Sequence, residues 1–392
     1  MKIFYLSRAL LPSEISNSLS IMRVCQAFAD SGHEVMLTGL APKKSTDDPI
    51  SYYGLHGGFR VLVYSISRLW DNKYTQPLLI PGLVLAWKTS SALKAFKPDI
   101  IYSRLTLTEL ALVPRHLPIF YEMHSLSFLR GSRLQQSAFH WLLRYKNVRR
   151  IVVTTDTMVE LLRSELPDIN IEIARLSAEH PVSMTDETLV SFRSLNLQGE
   201  NFKNHVGYTG YLDTIGLRGT EIICQTAAKM PATAFHIVGG EQEIVEHWRR
   251  YAEDYNIHGN IFFYGHRNPS DMPLFLGCFD VVLAPLQHKI APRAPTGMNM
   301  SPLKLPQYMS YKKAIVASDL PSHREVLTDG ETALLVPPKD IDAWVSGIRL
   351  LLDDHERRTM LGNNAVNRYW SDFSPEVRVR QILDGIHASE PK

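Results

Sequence analysis

Short apolar runs separated by amphipathic stretches recur along the whole chain, and this alternation constrains the fold more than any other feature. From Lys2 the runs IFYLS, EVML, RVLVY, DIIYS, IFYEM and IVVTT are spaced by helical patterns near residues 15–31, 83–96 and 134–147. Such spacing predicts βαβ units around a parallel sheet, because parallel strands need a long crossover rather than a tight turn. The pattern weakens between residues 187 and 203, the expected domain boundary. A second series follows: HVGYTG, a helix to Met230, AFHIVGG, a helix through Tyr255, IFFYG and DVVLAP. At 392 residues the chain exceeds what one core usually holds, so two α/β domains are expected. Two doubly wound sheets predict a ligand cleft at the carboxyl ends of their strands.

The densest local signal is residues 301–338, SPLKLPQYMSYKKAIVASDLPSHREVLTDGETALLVPP. Pro302 suits the first turn of a helix, where its missing N–H costs nothing and neighbouring N–H groups face an anion. Residues 314–318 read as a buried strand ending at Asp319. Pro321 begins a short helix, Asp329-Gly330 marks a turn, and residues 333–336 form another strand. After the first strand of the second series come Gly207 and Gly210, then Arg218-Gly219 before a helix. Glycines let backbone approach a diphosphate, and a cation at the helix start neutralises it.

The order helix, strand, short helix, strand resembles the donor-binding half of retaining glycosyltransferases of the GT-B architecture, specifically family 4, also called group 1. The resemblance covers nearly the whole chain and is most specific from residues 207 to 340. It implies a Rossmann-like acceptor-side domain at 1–196, a linker at 197–204, a nucleotide-sugar domain at 205–370, and a last helix at 371–392 that returns to the first domain. It also implies a UDP- or GDP-linked sugar as donor, a glycan or lipid-linked glycan as acceptor, and neither cofactor nor metal. Gly210, Arg218 and the helix start with Ser301, Leu303 and Lys304 correspond to the family's diphosphate site. His266 and Arg267 follow the strand whose adjoining loop meets the base. The family's paired glutamates, eight positions apart, align with Asn299 and Gln307, the first at the sugar and the second at the ribose. Replacing a carboxylate by an amide weakens such a hydrogen bond by roughly 1 kcal/mol.

Glu325, expected at the start of the short helix after Asp319, is the remaining acidic group near the inferred cleft, read either as a donor ligand or as a residue capping and stabilising that helix. In the first domain, Tyr121-Glu122-Met123-His124 is similar to the family's strand ending in histidine, which places His124 at the reacting hydroxyl with Glu122 beside it. Arg104 ends another strand and suits an anionic acceptor group. Ser13 and Asn17 replace the paired glycines of the family's acceptor loop; they bind a sugar or cap the following helix.

A net charge of +2 removes the electrostatic case for nucleic acid. Cys25, Cys224 and Cys278 match no metal spacing, and an odd count argues against a disulfide framework, so reduced thiols in the cytoplasm are expected. The amino terminus lacks the form of a secretory signal. Residues 77–87 reach only about half of the ~20 needed to span a bilayer. Residues 130–150 combine Arg133, Phe139, Trp141, Arg144, Arg149 and Arg150, either a contact with an anionic membrane or a solvated helix face. The competing reading is a non-catalytic glycan or sugar-nucleotide binder, which Asn299 and Gln307 favour. An epimerase or phosphorylase lacks its acid/base cluster or cofactor lysine here.

Overall fold

Strand β1 (Lys2–Leu6) is buried from Ile3 onward, as a central strand covered on both faces must be. The computed structural model describes residues 1–13, 16–42, 47–65, 79–104, 113–124, 133–145, 147–257, 259–287, 289–291, 294–296 and 303–384. These fall into two compact units: Met1–Ala174 with Arg378–Lys392, and Arg175–Val377.

In the first unit β1 pairs in parallel with β2 (Glu34–Leu40) on one side and β4 (Ile100–Ser103) on the other. β3 (Arg60–Tyr64), β5 (Ile119–Glu122), β6 (Val148–Val153) and β7 (Ile171–Ile173) complete a seven-stranded parallel sheet of order β3-β2-β1-β4-β5-β6-β7. The helix Ser16–Asp30 buries Ile21, Met22, Cys25 and Phe28 in one cluster with Tyr5, Leu37 and Tyr102. Val379 and Ile382 of the last helix, Pro375–Leu383, join that cluster. Arg150 of β6 donates to the carbonyl of Ile382 at 2.7 Å, satisfying one of the bare carbonyls that every helix end leaves.

In the second unit the parallel sheet has the order β10-β9-β8-β11-β14-β15. Its strands are β8 (Asn204–Thr209), β9 (Thr233–Val238), β10 (Ile261–Gly265), β11 (Val281–Ala284), β14 (Ala314–Ser318) and β15 (Leu334–Val336). Between β11 and β14 the chain forms an antiparallel hairpin, β12 (Lys289–Ala291) with β13 (Ala294–Thr296), that no sequence pattern announced. In both sheets the strand order reverses once, between β1 and β4 and between β8 and β11. Ligands of open α/β sheets bind at such reversals.

The unit boundary differs from the expected linker at 197–204: it lies at Ala174 and Arg175. The weak pattern there is a helix, Asp186–Asn196, capped by Thr185 Oγ1, which accepts from Thr188 N–H at 3.2 Å. It buries no residue fully and so carries little apolar periodicity. Phe192 nonetheless meets Phe275 edge-on at 5.0 Å, which places the helix with the second unit. All three cysteines are free and buried. No helix among the described residues is long and apolar enough to cross a membrane.

Candidate functional site

At the carboxyl end of β8, the Thr209 N–H donates to Tyr308 Oη at 2.9 Å, which seats the helix Lys304–Ser310 against the strand end. That seating carries the Lys304 ammonium to 3.6 Å from the centroid of the Tyr208 ring, a cation–π contact. Gly210 follows with φ 139°, and a Cβ there would stand 3.2 Å from Lys304 Nζ. The next turn is built on Asp213, whose carboxylate accepts from the N–H groups of Ile215, Leu217 and Arg218 at 2.9–3.0 Å. This turn sets the Arg218 guanidinium 5.7 Å from the Tyr211 ring. Gly219, at φ 75°, then lies so close to β11's end that a Cβ would fall 1.8 Å from the Pro285 carbonyl oxygen. The helix Thr220–Ala228 therefore opens at the strand-order reversal, with its bare N–H groups beside Arg218.

Burial holds the Lys304 ammonium well below its usual pKa range, and the nearby Arg218 charge lowers it further. Among the described residues Lys304 has no ion-pair partner, nor does Arg218. His323, missed by sequence reasoning, donates from Nδ1 to the Ser318 carbonyl at 2.8 Å; burial pushes its pKa down to about 4, with Lys304 adding to the effect. Two cations thus share one strand end beside a neutral imidazole and a helix N-terminus. That arrangement is complementary to a doubly charged anion.

Gln307 lies one turn after Lys304 on the same helix and is half-buried. Leu303 stands at the N-cap position of that helix and makes no capping side-chain hydrogen bond. Asn299 and Ser301 lie outside the described residues, as does Pro302. His266 and Arg267 are exposed beyond β10, the edge strand, two strands and about 10 Å from β8. The strand ends between them are in backbone contact: Gly239 N–H donates to Gly265 O at 2.8 Å, and a Cβ on Gly239 would fall 2.0 Å from Gly210 O. Glu325 does not begin the short helix. It caps the carboxyl end of Pro321–Arg324, where a negative charge gains nothing from the helix dipole, and its carboxylate sits 3.4 Å from Arg175.

In the first unit, β4 and β5 end side by side at Ser103 and Glu122. The Glu122 carboxylate is fully buried and accepts from Tyr102 Oη at 2.5 Å and from Arg378 at 2.7 Å. Its Oε1 also lies 2.6 Å from His124 Nε2. Burial works to raise the Glu122 pKa, but Arg378, Arg104 and His124 outweigh it and hold the carboxyl well below its usual range. A carboxylate only accepts, so the His124 proton sits on Nε2 and the ring lone pair on Nδ1. Burial, only partly opposed by Glu122, lowers the His124 pKa, which leaves the ring neutral at pH 7.

Arg104 reaches Ser20 Oγ at 3.4 Å within the field of Glu122, so two arginines surround one carboxylate and a positive charge is left over. Ser13 is committed elsewhere: its N–H and carbonyl both bond Tyr53 Oη at 2.7 Å, and its hydroxyl donates to Ser18 Oγ at 2.9 Å. Asn17 is exposed in the first turn of the helix Ser16–Asp30. Arg378 was missed as well, although a lone arginine on the apolar face shared with Ile382, four residues on, was the available signal.

Comparison with known proteins bears on both units. Residues 18–174 match the family described as Glycosyltransferase Family 4, and residues 220–368 match Glycosyl transferases group 1. A phosphatidyl-myo-inositol mannosyltransferase of Mycobacterium tuberculosis is 37% identical over 99 residues, 23% of this chain and 26% of the relative. One from Mycolicibacterium smegmatis is 29% identical over 163 residues, 40% of this chain and 39% of the relative. The match therefore spans well under half of these relatives. Among solved structures, Anabaena Alr3699/HepE in complex with UDP and glucose superposes with a TM-score of 0.72 at 16% identity, covering 99% of this chain and 100% of that one. Sucrose-phosphate synthase from Thermosynechococcus elongatus gives 0.68 at 18% identity, covering 100% of both chains. Two parallel-sheet Rossmann-like units and whole-chain likeness to such structures make the fold GT-B, and the two family matches, which together span most of the chain, make it a member of the group 1, family 4 glycosyltransferases.

Proposed function

We propose that the chain is a retaining hexosyltransferase that moves a sugar from a UDP- or GDP-linked donor to a hydroxyl of a glycan or lipid-linked glycan. The observation that carries this reading is the pair Lys304 and Arg218 at the end of β8, two cations without a described counter-ion beside the first turn of the helix Thr220–Ala228. A departing nucleoside diphosphate is the charge they suit, and preorganised cations stabilise a leaving group as its charge develops. They supply the electrostatic work of a metal ion, so the reading needs no metal. It needs no cofactor either.

In the transfer the bond from the anomeric carbon to the phosphate oxygen breaks, and its electron pair stays on the diphosphate held by Lys304 and Arg218. The acceptor oxygen adds to the same face, and its proton passes to the leaving phosphate. His124, neutral and fixed through Nε2, orients the reacting hydroxyl with Arg104 and Glu122 behind it. Gln307 takes the ribose and Asn299 the sugar, amides serving where relatives use carboxylates. Gly210, Ser301 and Leu303 shape the diphosphate site, with His266 and Arg267 toward the base. Glu325, held by Arg175, supports the donor loop. Ser13 and Asn17 border the acceptor side.

The setting is assembly of a cell-surface polysaccharide in the cytoplasm, at the inner face of the membrane. Trp87 and Trp141 support a peripheral contact, being 75% and 57% exposed, with Arg133 also exposed on the Trp141 helix. The mycobacterial relatives are named for phosphatidyl-myo-inositol, a lipid, which supports a lipid-linked acceptor. The test is a panel of nucleotide sugars read first by thermal stabilisation and then by nucleotide release with an extract of glycan acceptors. Stabilisation by one donor and acceptor-dependent release support the reading. Tight donor binding without transfer or slow hydrolysis overturns it in favour of a binding protein.

A further inference from the structure

Arg378 is almost fully buried, at 1% exposure, and reaches two groups at once. One guanidinium nitrogen donates to the carbonyl of Ala174 and the other to Glu122 Oε1 at 2.7 Å. Ala174 and Arg378 are the residues at which the chain leaves the first unit and re-enters it. Glu122 in turn holds His124 Nε2 at 2.6 Å. Arg378, from the last helix, and the strand-end pair Glu122 and His124, more than 250 positions earlier, thus form one line ending on the partly exposed imidazole. We propose that Arg378, acting through Glu122, is a positioning residue for His124, fixing the tautomer and orientation that the transfer uses. The inference rests on the reading of His124 given above.

The chemistry favours a role beyond packing. A buried carboxylate is costly unless paired, and an apolar residue at 378 would fill the same space at less electrostatic cost. The planar fork sets separate nitrogens on the carbonyl and on the carboxylate, whereas lysine would have to serve both from a single nitrogen. The groups facing Glu122 are Tyr5 from β1, Cys25 from the helix Ser16–Asp30, Tyr102 and Arg104 from the end of β4, His124 and Arg378. Of these, Arg378 contributes the strongest charge that keeps Glu122 ionised.

The experiment is histidine-ring 15N NMR of the full chain across pH, for the wild type, Arg378→Met and Glu122→Gln, with steady-state kinetics on the same proteins. The wild type should show His124 protonated on Nε2 at neutral pH. In Arg378→Met the Glu122–His124 pair should take up its proton about one pH unit higher, because a positive charge has gone. In Glu122→Gln the His124 titration should move down, because its negative neighbour has gone. Both variants should lose about 10- to 100-fold in kcat with donor KM changed less than about twofold, and Arg378→Lys should recover part of the loss. A folded Arg378→Met that melts lower yet keeps the wild-type tautomer and titration overturns the proposal. If Arg378→Met does not fold, an unchanged His124 tautomer and titration in Glu122→Gln overturns it equally, since Glu122 is the link through which Arg378 acts. Failure of every donor to turn over would refute the transferase reading, while the NMR arm still decides the wiring of His124.

Discussion

Replacing Lys304 by methionine should move ligand affinity and stability in opposite directions. The ammonium lies 3.6 Å above the Tyr208 ring, beside a second cation and with no described counter-ion. Two unit charges 4 Å apart interact by about 4 kcal/mol at an effective dielectric of about 20. The net value of a charge-assisted hydrogen bond is smaller, about 1.5–3 kcal/mol. Nucleoside diphosphate should therefore bind about 10- to 150-fold more weakly to Lys304→Met. The free protein should become more stable by about 0.5–2 kcal/mol near neutral pH, since the variant no longer buries a repelled charge. The sign follows from linkage. The folded state holds the Lys304 proton less tightly than the unfolded chain, whose lysine titrates near 10.5. The penalty is thus complete below the folded pKa and fades as pH rises toward 10.5. Calorimetry with UDP and GDP, and urea melts at neutral and alkaline pH, read both effects. A variant that binds diphosphate like the wild type, or is less stable without ligand, would refute the reasoning.

His124→Ala should slow nucleotide release in the presence of acceptor by about 100- to 1,000-fold while leaving diphosphate affinity within about threefold, measured by calorimetry beside kinetics. Gln307→Glu should keep or improve donor affinity, a gain of about 1 kcal/mol at most, because a charged acceptor strengthens a hydrogen bond to ribose; a large fall in melting temperature would instead mark Gln307 as a packing residue. Gly219→Ala should cost about 3 kcal/mol in urea unfolding, because φ 75° is strained for alanine and the overlap at 1.8 Å is with backbone that cannot swing aside.

What the sequence made legible and what it hid divide along one physical line. Strands such as Ile100–Ser103 and Ala314–Ser318 are continuous apolar runs because parallel strands are covered on both faces, and the helices between them follow the alternation. Glycine before a helix and a cation beside it are local signals, so the sequence singles out Gly210, Arg218 and Lys304, and the structure places Gly210 and Lys304 together at the end of β8. The helix Asp186–Asn196 was not, because it packs lightly and its pattern fades into that of a linker. Glu325 was placed at the wrong end of its helix because that helix has only four residues, too few for periodicity to fix its ends.

The residues that escaped altogether are those whose meaning lies in a partner far along the chain. Arg378 becomes intelligible only when Glu122, 256 positions earlier, is found against it. Tyr308 does so through the backbone of Thr209, 99 positions away. Both sites share one design. The groups proposed to meet the ligand lie at a strand end, in the loop after it or at a helix start, where local pattern is informative. The group that holds it in place comes from a helix packed across the sheet, where burial and charge pairing are set by tertiary structure. A substitution in the second class should therefore change chemistry through geometry while leaving every ligand contact intact, which is why Arg378, on its helix, is a sharper test of how this chain works than a strand-end residue.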